Sequence, residues 1–379
     1  MSGEIECKYS RNRPYQATLK SSVRINGEAS GKETRHLVFA LEEDELEFSP
    51  GDALGVFPKN QPELVEGVLR ALKLKGESPI QKTDGFRTTL KDELSTRYVL
   101  NRVGKKFVKG VAKKFQIQTL CALDETQLDE YIYTRDCLDV FKEYPQIQMT
   151  AEEFLELLTP IVPRLYSISS SWSRHPHEAH VTLAVVEYET HGRHRYGLCS
   201  GYMGKFLSVG QSAPVYIQRS RHFHLPPDSR TDIIMAGPGT GVAPFLSFLQ
   251  QRQMEKAQGR SWLFFGDRYE KTDFLYRNQI EDWQRQGALT RLSLAWSRDQ
   301  EHKIYVQDRL RENSAELWEW IKNGAWFYVC GDAKRMAKDV HQALIDMAIK
   351  KGQLSQKQAE EYVNTTMMKT EKRYRRDVY

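Results

Sequence analysis

Two stretches of the chain alternate hydrophobic and polar residues, which is typical of β-strands with one buried face. Between them, from Pro62 to about Pro160, apolar residues recur at the three- and four-residue spacing of helices. The two alternating stretches therefore predict a single antiparallel β-barrel interrupted by a helical insertion. The predicted strands are residues 17–25, 35–41, 53–57, 165–169, 180–188 and 214–218.

The last third of the chain has a different pattern, in which short apolar runs alternate with helical spacing. Continuous apolar runs predict strands buried on both faces, and strand–helix alternation predicts a doubly wound parallel sheet. The strands are predicted at residues 232–236, 262–265, 290–296 and 326–330, with helices at 242–250 and 333–350. We thus predict a multidomain α+β and α/β fold: barrel, residues 1–60 and 160–228; helical insertion, 61–159; α/β domain, 229–379.

Composition narrows the class of protein. The 379 residues carry a formal charge of +5, too little for a nucleic-acid-binding protein of this size. The cysteines (Cys7, Cys121, Cys137, Cys199 and Cys330) form no CxxC pair, so no metal site is expected, and scattered cysteines fit a reducing compartment. No apolar run could cross a membrane and no signal peptide is visible, so we expect a cytoplasmic protein without a membrane partner.

A glycine-rich turn, Gly237-Pro238-Gly239-Thr240-Gly241, lies between a predicted strand and a predicted helix. Glycines let the backbone approach a pyrophosphate, and a helix N-terminus favours negative charge. No GK[ST] follows, which excludes the ATP-type phosphate loop. The turn predicts a dinucleotide site, although a tight turn without a ligand remains an alternative.

Further polar groups follow the third predicted strand of this domain. They offer a hydroxyl, a guanidinium, an ammonium and a phenol, which suit the 2′-phosphate of NADP, whereas NAD sites usually present a carboxylate. A solvated mixed-charge loop is the alternative, because Asp299 and Glu301 lie nearby. The candidate residues are Ser297, Arg298, Lys303, Tyr305 and Gln307.

Three other segments have an ordinary structural explanation beside a functional one. Arg164 and Tyr166 fall on one face of a strand and could hold a phosphate and a flat ring, but a polar strand is equally consistent. The C-terminal residues 373–379 could be a frayed charged tail. A lysine-rich stretch fits a solvated helix face better than docking of an acidic electron carrier: Lys105, Lys106, Lys109, Lys113 and Lys114.

In combination, these motifs resemble the diflavin reductase branch of the ferredoxin–NADP reductase family. Five motifs stand in the family's order and spacing between Arg164 and Tyr379. They are Arg-Leu-Tyr-Ser at 164–167, Gly-Pro-Gly-Thr-Gly at 237–241, Ser-Arg at 297–298, Tyr-Val-Cys-Gly-Asp at 328–332 and Arg-Asp-Val-Tyr at 376–379.

The resemblance implies an FAD-binding barrel, an NADP-binding α/β domain and specific residues for each cofactor. Catalytic roles would fall to Ser167, Cys330, Asp377 and Tyr379. FAD would be bound by Arg164, Leu165, Tyr166, Ser167, Thr182, Leu183, Ala184, Tyr188, Gly197, Leu198, Cys199, Ser200 and Tyr379. NADP would be bound by Arg35, Thr240, Ser297, Arg298, Lys303, Ile304, Tyr305, Val306, Gln307 and Asp339.

The resemblance also implies an activity: hydride transfer from NADPH to FAD, with electrons passed to an FMN-containing partner and from there to a haem sulfite reductase subunit. Diflavin members of the family carry a flavodoxin-like FMN domain before the FAD domain, and this sequence has no phosphate loop of that kind. We therefore expect FMN on a separate protein or on a longer version of this chain. A stand-alone flavodoxin or ferredoxin reductase and a non-catalytic nucleotide-binding scaffold are the competing hypotheses.

Overall fold

The computed structural model describes residues 8–81 and 87–379, so Cys7 lies outside the described residues. Its contacts divide the chain into two units. The first contains the described residues up to Gly55 together with Leu165–Ala184 and Val215–Tyr379, and the second contains Val56–Arg164 and Val185–Pro214.

The strands are β1 (Tyr15–Arg24), β2 (Glu33–Ala40), β3 (Ala53–Val56), β4 (Pro79–Gln81), β5 (Arg87–Thr89), β6 (Arg164–Ser167), β7 (Glu178–Val185), β8 (Glu187–Thr190), β9 (Arg193–Tyr196), β10 (Ser212–Gln218), β11 (Ile233–Ala236), β12 (Ser261–Asp267), β13 (Arg291–Trp296), β14 (Trp326–Gly331) and β15 (Tyr374–Val378).

The helices cluster in two parts of the chain. One group lies between β3 and β6, the other is interspersed with the strands after β10, and the short α8 lies between β9 and β10. They are α1 (Pro62–Ala71), α2 (Leu90–Thr96), α3 (Lys105–Lys114), α4 (Gln118–Cys121), α5 (Glu125–Tyr133), α6 (Cys137–Glu143), α7 (Ala151–Leu157), α8 (Leu198–Gly201), α9 (Ala243–Met254), α10 (Glu270–Asp273), α11 (Arg277–Arg285), α12 (Val306–Glu312), α13 (Ser314–Lys322), α14 (Met336–Lys350) and α15 (Gln356–Glu361).

The predicted antiparallel strands form a six-stranded sheet in the order β6–β3–β10–β1–β2–β7. β1 and β2 pair antiparallel, with a β-bulge between Leu19 and Ser21 that breaks the strict alternation. An antiparallel bridge between Ile168 and Val181 brings the segment after β6 to the opposite edge strand, β7. The sheet therefore curls towards closure, and the prediction of an antiparallel barrel with a helical insertion is confirmed.

The second sheet has five parallel strands in the order β13–β12–β11–β14–β15. Alternate residues of its central strands face two separate hydrophobic cores: Ile234 and Phe264 pack into one, and Ile233 and Phe265 into the other. Burial on both faces explains why these strands appear in the sequence as continuous apolar runs. The predicted doubly wound parallel sheet is confirmed.

The C-terminal segment is a strand, so its interpretation as a frayed tail is wrong. Residues Tyr374–Val378 form β15, which pairs in parallel with β14 and places Asp377 directly opposite Cys330. The strand could not be predicted from hydrophobic patterning because the segment is rich in charged residues. An edge strand tolerates such residues, since it is paired on one side only. The pairing fixes the chain terminus at the carboxyl end of the parallel sheet.

The strand predicted over residues 180–188 is interrupted at Val186. The backbone N–H of Val186 donates to Ser200 Oγ (3.1 Å), and its carbonyl accepts from the N–H of Gly197 (2.9 Å). These bonds replace strand pairing, so β7 ends at Val185 and β8 begins at Glu187 as half of a hairpin with β9.

The helical insertion has its own core, built on residues such as Phe107, Phe141 and Phe154. The lysine-rich stretch forms α3, and several of its lysines are paired with acidic side chains of the same unit. Lys105 and Lys109 both contact Glu125 (2.8 and 2.7 Å), and Lys114 contacts Glu153. These pairs favour the interpretation of a solvated helix face. In the described residues, no helix has the length and apolarity needed to cross a membrane.

Candidate functional site

At the carboxyl end of β14, the carboxylate of Asp377 is contacted by two other polar side chains. Oδ2 of Asp377 accepts a hydrogen bond from the hydroxyl of Ser167 (2.7 Å), and the thiol of Cys330 points at the same oxygen (3.8 Å). Parallel pairing of β14 with β15 sets Cys330 beside Asp377, and Ser167 closes the group from the end of β6. Three of the residues predicted to be catalytic are thus in mutual contact.

The thiol of Cys330 is neutral at physiological pH. Its side chain is completely buried, and burial raises its pKa well above the ordinary value of 9.0, with the nearby Asp377 carboxylate acting in the same direction. A buried neutral thiol is a poor nucleophile, so the site is unsuited to covalent cysteine chemistry. The thiol can instead serve as a compact weak donor beside the carboxylate.

The terminal tyrosine lies next to this group and is exposed as a residue. The backbone of Tyr379 is held on both sides: its N–H donates to the carbonyl of Gly331 (3.1 Å), and its carbonyl accepts from Ala333 (3.0 Å). Its hydroxyl lies 3.2 Å from the hydroxyl of Thr240, while 66% of the residue remains exposed. A fixed backbone with an exposed ring suits a side chain that covers a flat ligand.

The glycine-rich turn approaches this group so closely that one of its positions has no room for a side chain. A Cβ on Gly241 would lie 2.3 Å from the carbonyl oxygen of Cys330, and Gly239 adopts a left-handed φ of +56°. The turn continues through a 3-10 segment into α9. Packing therefore requires glycine at 241, and the turn geometry favours it at 239, independently of any ligand.

A cleft of about 420 Å³ opens beside the glycine turn at the carboxyl ends of the parallel strands. Five of the predicted NADP residues line it: Ser297, Tyr305, Val306, Gln307 and Asp339. Within the cleft the amide of Gln307 donates to Asp339 (3.3 Å) and the hydroxyl of Ser297 donates to the carbonyl of Asp267 (3.2 Å). The structure thus brings half of the predicted set together.

The remaining predicted NADP residues lie outside the lining of this cleft. Arg298 and Lys303 are exposed, Ile304 is half-buried beside them, and Thr240 faces Tyr379. Arg35 is separate from all of these. It lies on β2, where its guanidinium is bound by Ser22 and Glu33 of the barrel.

The cleft also contains charged residues that sequence analysis did not select, among them Asp267, Arg268, Asp332 and Arg335. Asp267 ends β12. The Gly-Asp pair at the end of a predicted strand is the sequence feature that could have identified Asp267 as a residue of the cleft. Burial raises the pKa of the Asp267 carboxyl, while Lys32 opposes this by placing its ammonium 2.6 Å from both carboxylate oxygens. No sequence pattern linked Lys32 to the site, because it lies on the loop between β1 and β2.

Replacing Lys32 by methionine is expected to lower the melting temperature by roughly 5 °C, because it leaves a carboxylate in the cleft without its cation. The side chains of Asp267 and Lys32 are 5% and 24% exposed, so the pair is largely desolvated. The double variant Lys32→Met with Asp267→Asn should recover part of the loss. Differential scanning calorimetry measures both, and a melting temperature unchanged in Lys32→Met would contradict this role for the pair.

Among the predicted FAD residues of the first unit, those on β6 and β7 differ in accessibility. Leu165 is exposed, Tyr166 and Ser167 are half-buried, and Ala184 is exposed on β7. Thr182 and Leu183 are buried, and the hydroxyl of Thr182 lies 2.7 Å from that of Tyr276.

The second unit contains six further predicted FAD residues, of which three line clefts. Gly197 and Leu198 line a cleft of about 260 Å³, and Tyr188 lines another of about 650 Å³. Cys199 and Ser200 are buried at the start of α8, and Arg164 ends this unit as an exposed residue. A Cβ on Gly197 would lie 2.6 Å from Ser200 Oγ, which explains the glycine.

The residues present fit both cofactors. For a nicotinamide dinucleotide, the chain offers a cleft beside a glycine turn, with hydroxyl, amide and guanidinium donors at its edge. For a flavin, the first unit offers a half-buried tyrosine on β6 and an exposed terminal tyrosine, and the second unit separately offers Gly197 before α8. Aromatic faces and backbone donors are the groups that bind flat rings and pyrophosphates.

Comparison with known proteins identifies the same two domains. The family model described as "FAD binding domain" matches residues 8–96 and 113–202, and that described as "Oxidoreductase NAD-binding domain" matches residues 235–342. The chain is 42% identical to the "Sulfite reductase [NADPH] flavoprotein alpha-component" of Bacillus subtilis, over 99% of this chain and 62% of that protein. Proteins of the same name from Vibrio cholerae and Yersinia pestis are 42% and 43% identical, over 100% and 98% of this chain and 61% of their own length.

The fold and these matches define an oxidoreductase module with one FAD-binding and one NAD-binding domain. The chain is built from an FAD-binding domain and an oxidoreductase NAD-binding domain of the ferredoxin–NADP reductase type. It spans about 62% of the length of the curated relatives that it matches.

Proposed function

We propose that this chain takes hydride from NADPH onto FAD and delivers the electrons to an FMN-carrying partner, in the service of sulfite reduction. The observation that carries the proposal is the convergence of Ser167 and Cys330 on one carboxylate oxygen of Asp377, beside the exposed ring of Tyr379. When bound, NADPH would supply a hydride, and FAD would supply the chemistry that accepts a hydride and releases single electrons.

The chain's own residues position the reactants and hold charge. The Asp377 carboxylate fixes the Ser167 hydroxyl, which leaves the serine oxygen lone pairs free to face a ligand. The buried neutral thiol of Cys330 adds a second weak dipole without adding charge. Such groups act by pre-organisation, because they are already oriented before charge shifts in the reaction.

The ring of Tyr379 would control access of the nicotinamide to the site. A planar ligand can stack on the exposed ring of Tyr379, and a nicotinamide can reach the same face only after the ring has moved aside. The Thr240 contact restrains the ring through its hydroxyl alone, which is a weak tether. The glycine turn then holds the dinucleotide at the end of β11, with the 2′-phosphate assigned to Ser297, Arg298, Lys303, Tyr305 and Gln307.

Replacing Tyr379 by alanine is expected to reduce the preference for NADPH over NADH by about tenfold. Binding energy from the 2′-phosphate helps NADPH to displace the ring, whereas NADH lacks that contribution, so removing the ring helps NADH more. Tyr379→Phe is the matched control, because it keeps the ring and loses only the Thr240 contact. The ratio of kcat/KM values measures the preference, and an unchanged ratio in Tyr379→Ala would remove Tyr379 from the nicotinamide path.

The test of the proposed function is NADPH-dependent electron delivery by the purified chain loaded with FAD. We expect rapid reduction of ferricyanide, a small one-electron acceptor, and reduction of an FMN-loaded flavodoxin. Reduction of ferricyanide but not of the flavodoxin would support NADPH oxidation and contradict the FMN partner. Absence of both would favour the nucleotide-binding scaffold.

The assignment to sulfite reduction rests on the names of the relatives, each called a sulfite reductase flavoprotein component. A haem-containing subunit would then receive the electrons from the FMN partner. A stand-alone flavodoxin or ferredoxin reductase is the alternative, and it predicts turnover of those carriers without NADPH-dependent sulfite reduction when a haem subunit is added. A cytoplasmic location remains a prediction of the sequence.

A further inference from the structure

A cluster of two histidines and one glutamate lies at the start of β7, outside all the residues assigned to FAD or NADP. The potential ligand atoms of His175, Glu178 and His180 lie within 4.8 Å of one another. The imidazole rings of His175 and His180 have centroids 4.4 Å apart, and Glu178 Oε2 lies 3.2 Å from His180 Nε2. We propose that these three side chains form a binding site for one Zn²⁺ or a similar late transition-metal ion.

Local structure explains how the three side chains meet. Glu178 and His180 are two residues apart on β7 and therefore point to the same face of the strand. His175 is brought to that face by a turn in which His177 adopts a left-handed φ of +60°. The turn is bonded at both ends: the His175 N–H donates to the carbonyl of Ser171 (2.9 Å), and the His175 carbonyl accepts from Glu178 (3.3 Å).

The donor set is chemically suited to zinc. Two imidazole nitrogens and one carboxylate oxygen leave a fourth tetrahedral position for water, and imidazole selects zinc, nickel or copper over magnesium and calcium. His180 Nε2 and Glu178 Oε2 already lie within hydrogen-bond distance (3.2 Å), so a metal ion would replace this bond and take the proton's place between the two groups.

Neighbouring groups support the ring of His180. The ring of His36 meets it edge-on at 4.9 Å, and His36 Nδ1 is in turn 2.9 Å from the hydroxyl of Tyr276. Such packing restricts the orientation of a ligand ring, which is the usual task of groups around a metal site. One feature opposes binding: the ammonium of Lys20 pairs with Glu178 Oε1, although its side chain is 52% exposed and free to turn away.

Calorimetric titration of the FAD-loaded, untagged and chelator-treated chain with ZnCl₂ tests the proposal. We expect one ion per chain, and binding weakened at least about tenfold in His175→Gln and in Glu178→Gln. The matched control is His177→Gln, because this histidine lies on the same turn but contacts the carbonyl of Leu41 (3.2 Å). A Cys121→Ser variant checks that the exposed thiol is not the ligand.

Two further results separate a metal site from a structural cluster. Lys20→Gln should tighten zinc binding, because it removes the cation that competes for Glu178, whereas unchanged or weaker binding would contradict Glu178 as a ligand. Zinc should also raise the melting temperature of the wild type, with little effect in His175→Gln. Equal zinc binding by wild type, His175→Gln and Glu178→Gln, or no binding by the wild type, would overturn the proposal. Flavin absorbance and circular dichroism confirm that each variant is folded.

Discussion

Asp377→Asn is expected to slow the reduction of bound flavin by NADPH by about 100-fold, while the flavin itself stays bound. The Asp377 oxygen that accepts from Ser167 is the one at which the Cys330 thiol points, so a single substitution disturbs both groups. Asparagine keeps the size of the side chain but removes its charge. The observable is the first-order rate of flavin bleaching after rapid anaerobic mixing with saturating NADPH.

A matched substitution separates this effect from a general loss of charge. Asp346→Asn changes the same residue type on α14, where the carboxylate pairs with Arg311 and Gln342 and lies away from the catalytic group. It should leave the bleaching rate within about twofold of wild type, as expected for a surface change. Equal rates for wild type and Asp377→Asn, with normal NADPH affinity, would remove the carboxylate from the proposed chemistry.

Arg298→Ala is expected to raise the KM for NADPH by about 10- to 100-fold and to leave the KM for NADH nearly unchanged. A hydrogen bond between charged groups contributes about 1.5–3 kcal/mol, and each 1.4 kcal/mol corresponds to a factor of ten. Arg298 is exposed at the end of β13, so its substitution should not disturb the core.

The conservative variant makes this prediction sharper. Arg298→Lys retains a positive charge but loses the planar fork that binds a phosphate through two bonds, so its KM for NADPH should fall between those of wild type and Arg298→Ala. Arg230→Ala is the control, because Arg230 is exposed and pairs with Asp228 outside the cleft. A parallel rise of the KM for NADPH and NADH in Arg298→Ala would contradict the 2′-phosphate assignment.

The fold could be predicted largely from hydrophobic patterning, because the strands of the two sheets have different patterns of apolar residues. The barrel strands alternate, and the parallel strands are continuous apolar runs. The errors occurred where tertiary contacts override the local pattern. At Val186, bonds to Ser200 and Gly197 end a strand that the alternation would continue. At Tyr374–Val378, a charged segment becomes a strand only because β14 pairs with it.

The candidate site was predictable where it follows strand ends and not where it depends on distant loops. Ser297, Gln307 and Asp339 line the cleft as the strand–helix alternation predicts, since strand ends of a parallel sheet share one edge. Lys32 reaches the same cleft from the loop between β1 and β2, a contact spanning 235 positions along the chain. Arg35, only three residues further, is held in the barrel by Ser22 and Glu33.

The histidine cluster shows a further limit of spacing rules. The spacing of the cysteines predicts no metal site. The residues His175, Glu178 and His180 match no common ligand motif in the sequence. They come together only because of the turn at His177 and the period of β7. Side-chain convergence of this kind depends on backbone angles that the residue order alone does not specify.

The central claim is that this chain binds FAD and reduces it with NADPH. The most direct test is the absorbance spectrum of the purified chain without oxygen, recorded before and after NADPH and, separately, NADH. We predict yellow flavin bands that bleach with NADPH and change little with NADH. A protein that stays colourless and inert after FAD is added, or one whose flavin is not reduced by NADPH, would contradict the claim.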